Sequence, residues 1–134
     1  MHIVFQPTDN TCDLFDSIVL HSNGYADHSL NRNRILPPIQ LDGCADVSEW
    51  ENVLKSLGSP VDIIYASNLL HISPYAVTLS ILDRAKHFLA PGSGLLIIYG
   101  AFKRFGEFTT ASNKEFDEIL RGRNADGDYG TLKL

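Results

Sequence analysis

The spacing of hydrophobic positions along this chain switches several times between continuous runs and a helical period, and the switches predict an alternation of strands and helices. Val61-Asp62-Ile63-Ile64-Tyr65-Ala66-Ser67 and Leu95-Leu96-Ile97-Ile98-Tyr99 are nearly unbroken apolar, β-branched runs, as expected of strands covered on both faces. Ile3-Val4-Phe5 gives a short strand over 3–7, and Ile35 to Asp42 reads as a proline-led edge strand, because proline cannot donate to a central ladder. Between them fall four apolar stripes at helical spacing. Leu14, Phe15, Ile18 and Val19 follow a cap at Asn10 or Thr11 and end near His21 to Gly24. Val47, Trp50, Val53, Leu54 and Leu57 follow Asp46 with Glu49 three residues on, and Gly58 stops them. Val77, Thr78, Ile81, Leu82, Ala85, Phe88 and Leu89 mark a helix over 74–89, capped by Ser73 with Pro74 at its first position and ended by Pro91-Gly92-Ser93-Gly94. Phe116, Ile119 and Leu120 follow a capping box at Ser112–Glu115, and the helix closes in Arg121 and Arg123. The polar stretch 21–34 reads as a solvated loop with exposed His21 and His28, 101–111 as a loop over the site, and 124–134 as a frayed tail.

The resulting order, β-α-β-α-β-α-β-α, implies an α/β fold with parallel strands and right-handed crossovers. In such sheets ligands bind at the carboxyl ends of the strands, which places Asn68 and His71 where small-molecule chemistry occurs. Asp9 and Asp42 close two other strands. Carboxylates there can accept hydrogen bonds from ribose hydroxyls or an adenine amino group, but an aspartate at a strand end is more often a routine helix cap.

Composition narrows the classes. A net charge of −5 disfavours a nucleic-acid partner, which calls for a basic face. No apolar run approaches the roughly 18 residues that span a membrane, and Met1 to Pro7 does not resemble a signal peptide, so a cytoplasmic address is expected, with the nucleus as a second compartment. Cys12 and Cys44 lack partners at metal-ligand spacing and are expected as reduced, structural thiols; no metal site is expected. The phosphate-binding patterns G-x-G-x-x-G and G-x-x-x-x-G-K-[ST] are absent, which ranks a dinucleotide-binding domain last.

Four segments together resemble one family. Asn68-Leu69-Leu70-His71-Ile72-Ser73-Pro74, Leu89-Ala90-Pro91-Gly92, Leu96-Ile97-Ile98-Tyr99-Gly100 and Ser112-Asn113-x-x-Phe116-Asp117-x-x-Leu120-Arg121-x-Arg123-Asn124 are similar to the methyltransferase-like protein 26 family, small class I S-adenosylmethionine-dependent methyltransferase-like proteins. Gln6-Pro7-Thr8-Asp9 and Leu41-Asp42 resemble the ends of that family's second and third strands, with Thr8 where serine is usual. The resemblance implies a Rossmann-like, three-layer αβα fold with a mostly parallel sheet, and S-adenosyl-L-methionine as cofactor. It implies that Asp9 holds the ribose, Asp42 lies near the adenine, and Asn68 and Leu69 line the methionine side. His71, Tyr99 and Asn113 would face an acceptor of unknown identity. Against these stand plainer readings: His71 bonded to a backbone carbonyl, Tyr99 packed at a rim, and Arg121 and Arg123 as helix-terminal charges.

The family's Gly-rich E-x-x-x-G-x-G turn and its strand have no counterpart here, nor do the closing strands after residue 123. The expectation is a single, truncated methyltransferase-like domain over 1–134 with an incomplete sheet. Strands 3–7 and 61–67 then either pair directly, giving the order 35–41, 3–7, 61–67, 95–99, or leave sheet edges open to self-association. Two functions follow: a methyltransferase, or a non-catalytic Rossmann-like interaction module or inactive truncated form that does not bind the cofactor.

Overall fold

The computed structural model of the chain describes residues 3–26, 34–123 and 132–133. It is a mixed α/β structure that divides into two compact units, Met1–Val61 and Asp62–Leu134.

In the first unit the expected strand at 3–7 is two short strands, β1 (Val4–Phe5) and β2 (Thr8–Asp9), and the next is β3 (Arg34–Ile35) and β4 (Ile39–Gln40). Both interruptions fall at prolines, which donate no ladder bond. β1 pairs with β3 and β2 with β4, both parallel, and one register runs through the break: Leu36 N–H donates to Phe5 O (2.9 Å), Ile39 to Pro7 O (3.1 Å) and Leu41 to Asp9 O (2.9 Å). At the gap the Gln6 side-chain amide donates to Pro37 O at 2.7 Å, standing in for a missing rung. Helix α1 (Phe15–Ala26) begins later and ends later than its stripe suggests, since residues 21–26 are helical and not loop. Neither Asn10 nor Thr11 caps it; a turn with Phe15 N–H on Cys12 O leads in. The expected loop beyond residue 26, His28 included, lies outside the described residues. Helix α2 (Val47–Leu54) starts as expected, with the Asp46 carboxylate accepting Glu49 N–H at 2.9 Å, but it ends before Leu57, and Gly58 at φ +80° closes the following turn. Trp50, Val53 and Leu54 of α2 are buried, as are Ala45 before it and Val61 at the end of the unit.

The second unit is built on β5 (Ile63–Ser67) and β6 (Leu95–Tyr99), a parallel pair in which Ile63 faces Leu95 and Ser67 faces Tyr99. Helix α3 (Tyr75–Phe88) connects them. Its cap departs from expectation: Pro74 is the N-cap residue, and the Ser73 hydroxyl donates back to Leu69 O at 2.9 Å. The core forms where Leu70, Val77 and Ile81 meet Leu69, Leu96 and Ile98. Alternation divides the pair cleanly, for Ala66 is buried and Ile64, Leu96 and Ile98 half-buried, while Ile63, Tyr65, Leu95, Ile97 and Tyr99 are exposed.

Residues 102–108 are a hairpin and not a loop. β7 (Phe102–Arg104) and β8 (Glu107–Phe108) pair antiparallel across Phe105-Gly106, both at positive φ, as a two-residue hairpin turn requires. Arg104 stands opposite Glu107. β9 (Leu132–Lys133) adds to β7 in parallel, where a frayed tail was expected; 124–131 and 134 lie outside the described residues. Helix α4 (Ala111–Arg123) starts before the expected capping box, and the Thr110 hydroxyl, not Ser112, accepts Asn113 N–H at 3.1 Å. Asp117 on this helix is 4% exposed and takes Arg121 at 2.8 Å and Lys103 of β7 at 4.0 Å, which ties the hairpin to the helix.

Among the described residues, the strands form three two-stranded sheets and one of three strands, each sheet lying within one unit. No described helix is long and apolar enough to cross a membrane. Both cysteines are free and exposed.

Ile81 and Leu82 share one predicted stripe, yet Ile81 is 3% exposed and Leu82 48%. Ile81→Ala is therefore expected to destabilise the second unit by about 2–5 kcal/mol. Leu82→Ala should stay within about 0.5 kcal/mol of wild type. Urea unfolding of both variants checks the difference.

Candidate functional site

The candidate residues fall into two groups, one in each unit. In the first, Asp9 and Asp42 sit at the carboxyl end of the β2–β4 ladder, joined through Leu41 N–H on Asp9 O. Each carboxylate folds its own turn: Asp9 Oδ1 accepts Thr11 N–H at 3.0 Å, and Asp42 Oδ1 accepts Cys44 N–H at 2.8 Å. Neither is the helix cap that its place at a strand end suggests, because α1 starts only at Phe15 and Asp46 caps α2; each carboxylate closes a local turn before the helix instead. An ionised carboxylate keeps its second oxygen and further lone pairs, so the other face of each can still accept a hydroxyl or amino donor. Gln40, which the sequence did not single out, fastens the loop between them: its amide donates to Asn10 O at 2.9 Å and its carbonyl accepts the Cys12 thiol at 3.4 Å. A polar residue at a strand end was the one available signal.

In the second unit Asn68 leaves β5 at φ +52°, a left-handed backbone that asparagine tolerates better than most residues, and its N–H donates to Tyr99 O at 2.8 Å. Leu69 turns inward onto the Leu70–Val77–Ile81 cluster. His71 is 5% exposed, its ring edge-on to Phe116 of α4 with centroids 5.2 Å apart. Gly100, directly after β6, lies against the same ring, because a Cβ there would stand 2.9 Å from His71 Nδ1. Asn68, His71, Tyr99 and Gly100 therefore converge on the carboxyl end of the β5–β6 ladder. Phe116 arrives there through α4, one turn after Asn113. The Asn113 amide donates to Thr109 Oγ1 at 2.8 Å, and Tyr99 is 62% exposed. Phe116 and Gly100 are the partners that sequence reasoning missed as site residues; both lie inside the motifs quoted for the resemblance, which was the signal that could have found them.

Arg121 is spent on Asp117, whose carboxylate holds its guanidinium pKa above the ordinary value, so the helix-terminal reading fits this arginine. Among the described residues no group of three His, Cys, Asp or Glu side chains could hold a metal ion.

A family model described as a protein of unknown function (DUF938) matches residues 1–131. The chain belongs to the DUF938 family. No solved structure matches it. The DUF938 match covers both units, and so both groups of candidate residues.

Burial lowers the His71 pKa below 6.5, so the imidazole is neutral at pH 7. In the unfolded chain the ring protonates near pH 6.5. The unfolded state therefore binds that proton first, and stability falls as the pH drops below about 6.5 and is flat with respect to this group above it. Proton NMR titration of the imidazole C2–H checks the pKa. His71→Gln should remove that part of the pH dependence.

Proposed function

We propose that this chain is a Rossmann-like, S-adenosylmethionine-dependent methyltransferase-like protein acting on an acceptor still to be identified. What carries the reading is that its parallel ladders end in acceptor-rich polar loops, Asp9 with Asp42 in one unit and Asn68 with His71 in the other. This is the strand end at which α/β sheets bind small molecules. The four quoted motifs support it by resemblance.

The donor chemistry fits. The unengaged oxygens of Asp9 can accept ribose hydroxyls and those of Asp42 an adenine amino group, as the resemblance implies. S-adenosylmethionine would supply an electrophilic methyl group on sulfonium. Methyl transfer then needs positioning and a dry approach more than an acid–base triad. His71, neutral and held between Phe116 and Gly100, has a ring nitrogen able to accept a proton from an O–H or N–H acceptor. Tyr99 and Asn113 are the polar groups near that loop that would orient the acceptor. The reading assigns a cytoplasmic address, with the nucleus as a second compartment.

A second reading, a non-catalytic module that does not bind the cofactor, draws on the same two carboxylates, since each already folds its own turn. Asp9→Asn separates the two. Asparagine keeps an oxygen for Thr11 N–H and leaves the turn intact, but it removes the charge that a ribose would meet. S-adenosylhomocysteine binding, measured by calorimetry, should weaken about 10–100-fold in that variant. It should be lost in Asp9→Ala, with the circular dichroism of both unchanged. Wild type that does not bind, or unchanged affinity in both variants, removes the ribose assignment.

A further inference from the structure

We propose that two copies of this chain associate through the uncovered face of the β5–β6 ladder. The register puts Ile63 beside Leu95, Tyr65 beside Ile97 and Ser67 beside Tyr99, so five large apolar side chains stand on one face. They are 42–62% exposed, while α3 covers the opposite face. Parallel sheets are stable with both faces covered, and a two-stranded ladder is marginal alone. This one has half its cover.

Area and charge point to a second copy as the occupant. At roughly 150–250 Å² for each side chain, those fractions amount to about 500 Å² per copy. That is within the roughly 300–600 Å² of the largest apolar patch on a typical monomer, a patch that is often functional. Two copies would bury about 1,000 Å² from these residues alone, which reaches the floor for a specific interface, and the rim adds to it. An interface about a two-fold axis must be complementary to itself, and six positions without a charge meet that condition without setting like charges against each other. An acidic or basic partner would find no counter-charge on the face. The contact is sheet on sheet, with the two ladders about 10 Å apart; it shares Tyr99 with the methyl-transfer reading, and its test turns on Ile97 and Tyr65, which that reading does not use.

Sedimentation equilibrium of the full chain, from low micromolar to near-millimolar concentration, tests this. The expected result is a reversible approach to twice the chain mass. Ile97→Lys places an ammonium on the uncovered face without altering the face packed by α3, and it should raise the dissociation constant at least tenfold with circular dichroism unchanged. If that variant unfolds, Tyr65→Gln provides the same reading. Leu79→Lys, on an exposed position of α3 (52%), should leave association as in wild type. A monomer at every concentration overturns the proposal. So does an association that ignores both face substitutions, or one that Leu79→Lys abolishes equally.

Discussion

The second unit depends on one constraint: a parallel ladder cannot stand with bare backbone and a bare face, and β5–β6 has found one helix to cover it. Leu69, Leu70, Leu96 and Ile98 gather under Val77 and Ile81 because α3 is the crossover that a parallel pair requires, and a crossover packs back onto the strands it joins. The polar turn that follows β5 inherits its position from this arrangement. Asn68 is pinned by its N–H on Tyr99 O, and the chain then turns His71 under Phe116 and over Gly100. A buried, neutral imidazole at a strand end is the chemical result of that packing, and the apolar face opposite α3 is its unsatisfied remainder.

Elements with a strong period were legible from the residues. β6 falls on its predicted boundaries, and α2 begins where Asp46 and Glu49 announce it. The misses have local causes. Pro7, Pro37 and Pro38 cut the first two strands into halves whose shared register is visible only through hydrogen bonds between them. The hairpin at 102–108 hid because Phe105 occupies a left-handed position more often given to Asn or Gly, so the usual turn signal was missing. Ser73 and Ser112 carried good capping chemistry, yet Pro74 and Thr110 stand where the helices start, a choice made by tertiary packing that propensity does not encode.

The candidate site was legible in part. Strand-end logic found Asp9, Asp42, Asn68 and His71, and the structure puts each at the carboxyl end of a parallel ladder. It could not say that both carboxylates fold their own turns, since an Asx turn and a ligand contact use the same residue type at the same place. Nor could it find Phe116 and Gly100 as the walls of the histidine, because those contacts join segments far apart in the chain.

The methyl-transfer account rests on whether these strand-end loops recognise the cofactor. The measurement that tests it most directly is an amide NMR spectrum of the chain, recorded alone and then titrated with S-adenosylhomocysteine. The account predicts dispersed peaks, with saturable shifts at Asp9, Asp42 and Asn68. A dispersed spectrum that ignores the ligand would contradict it and leave the non-catalytic module as the reading of this chain.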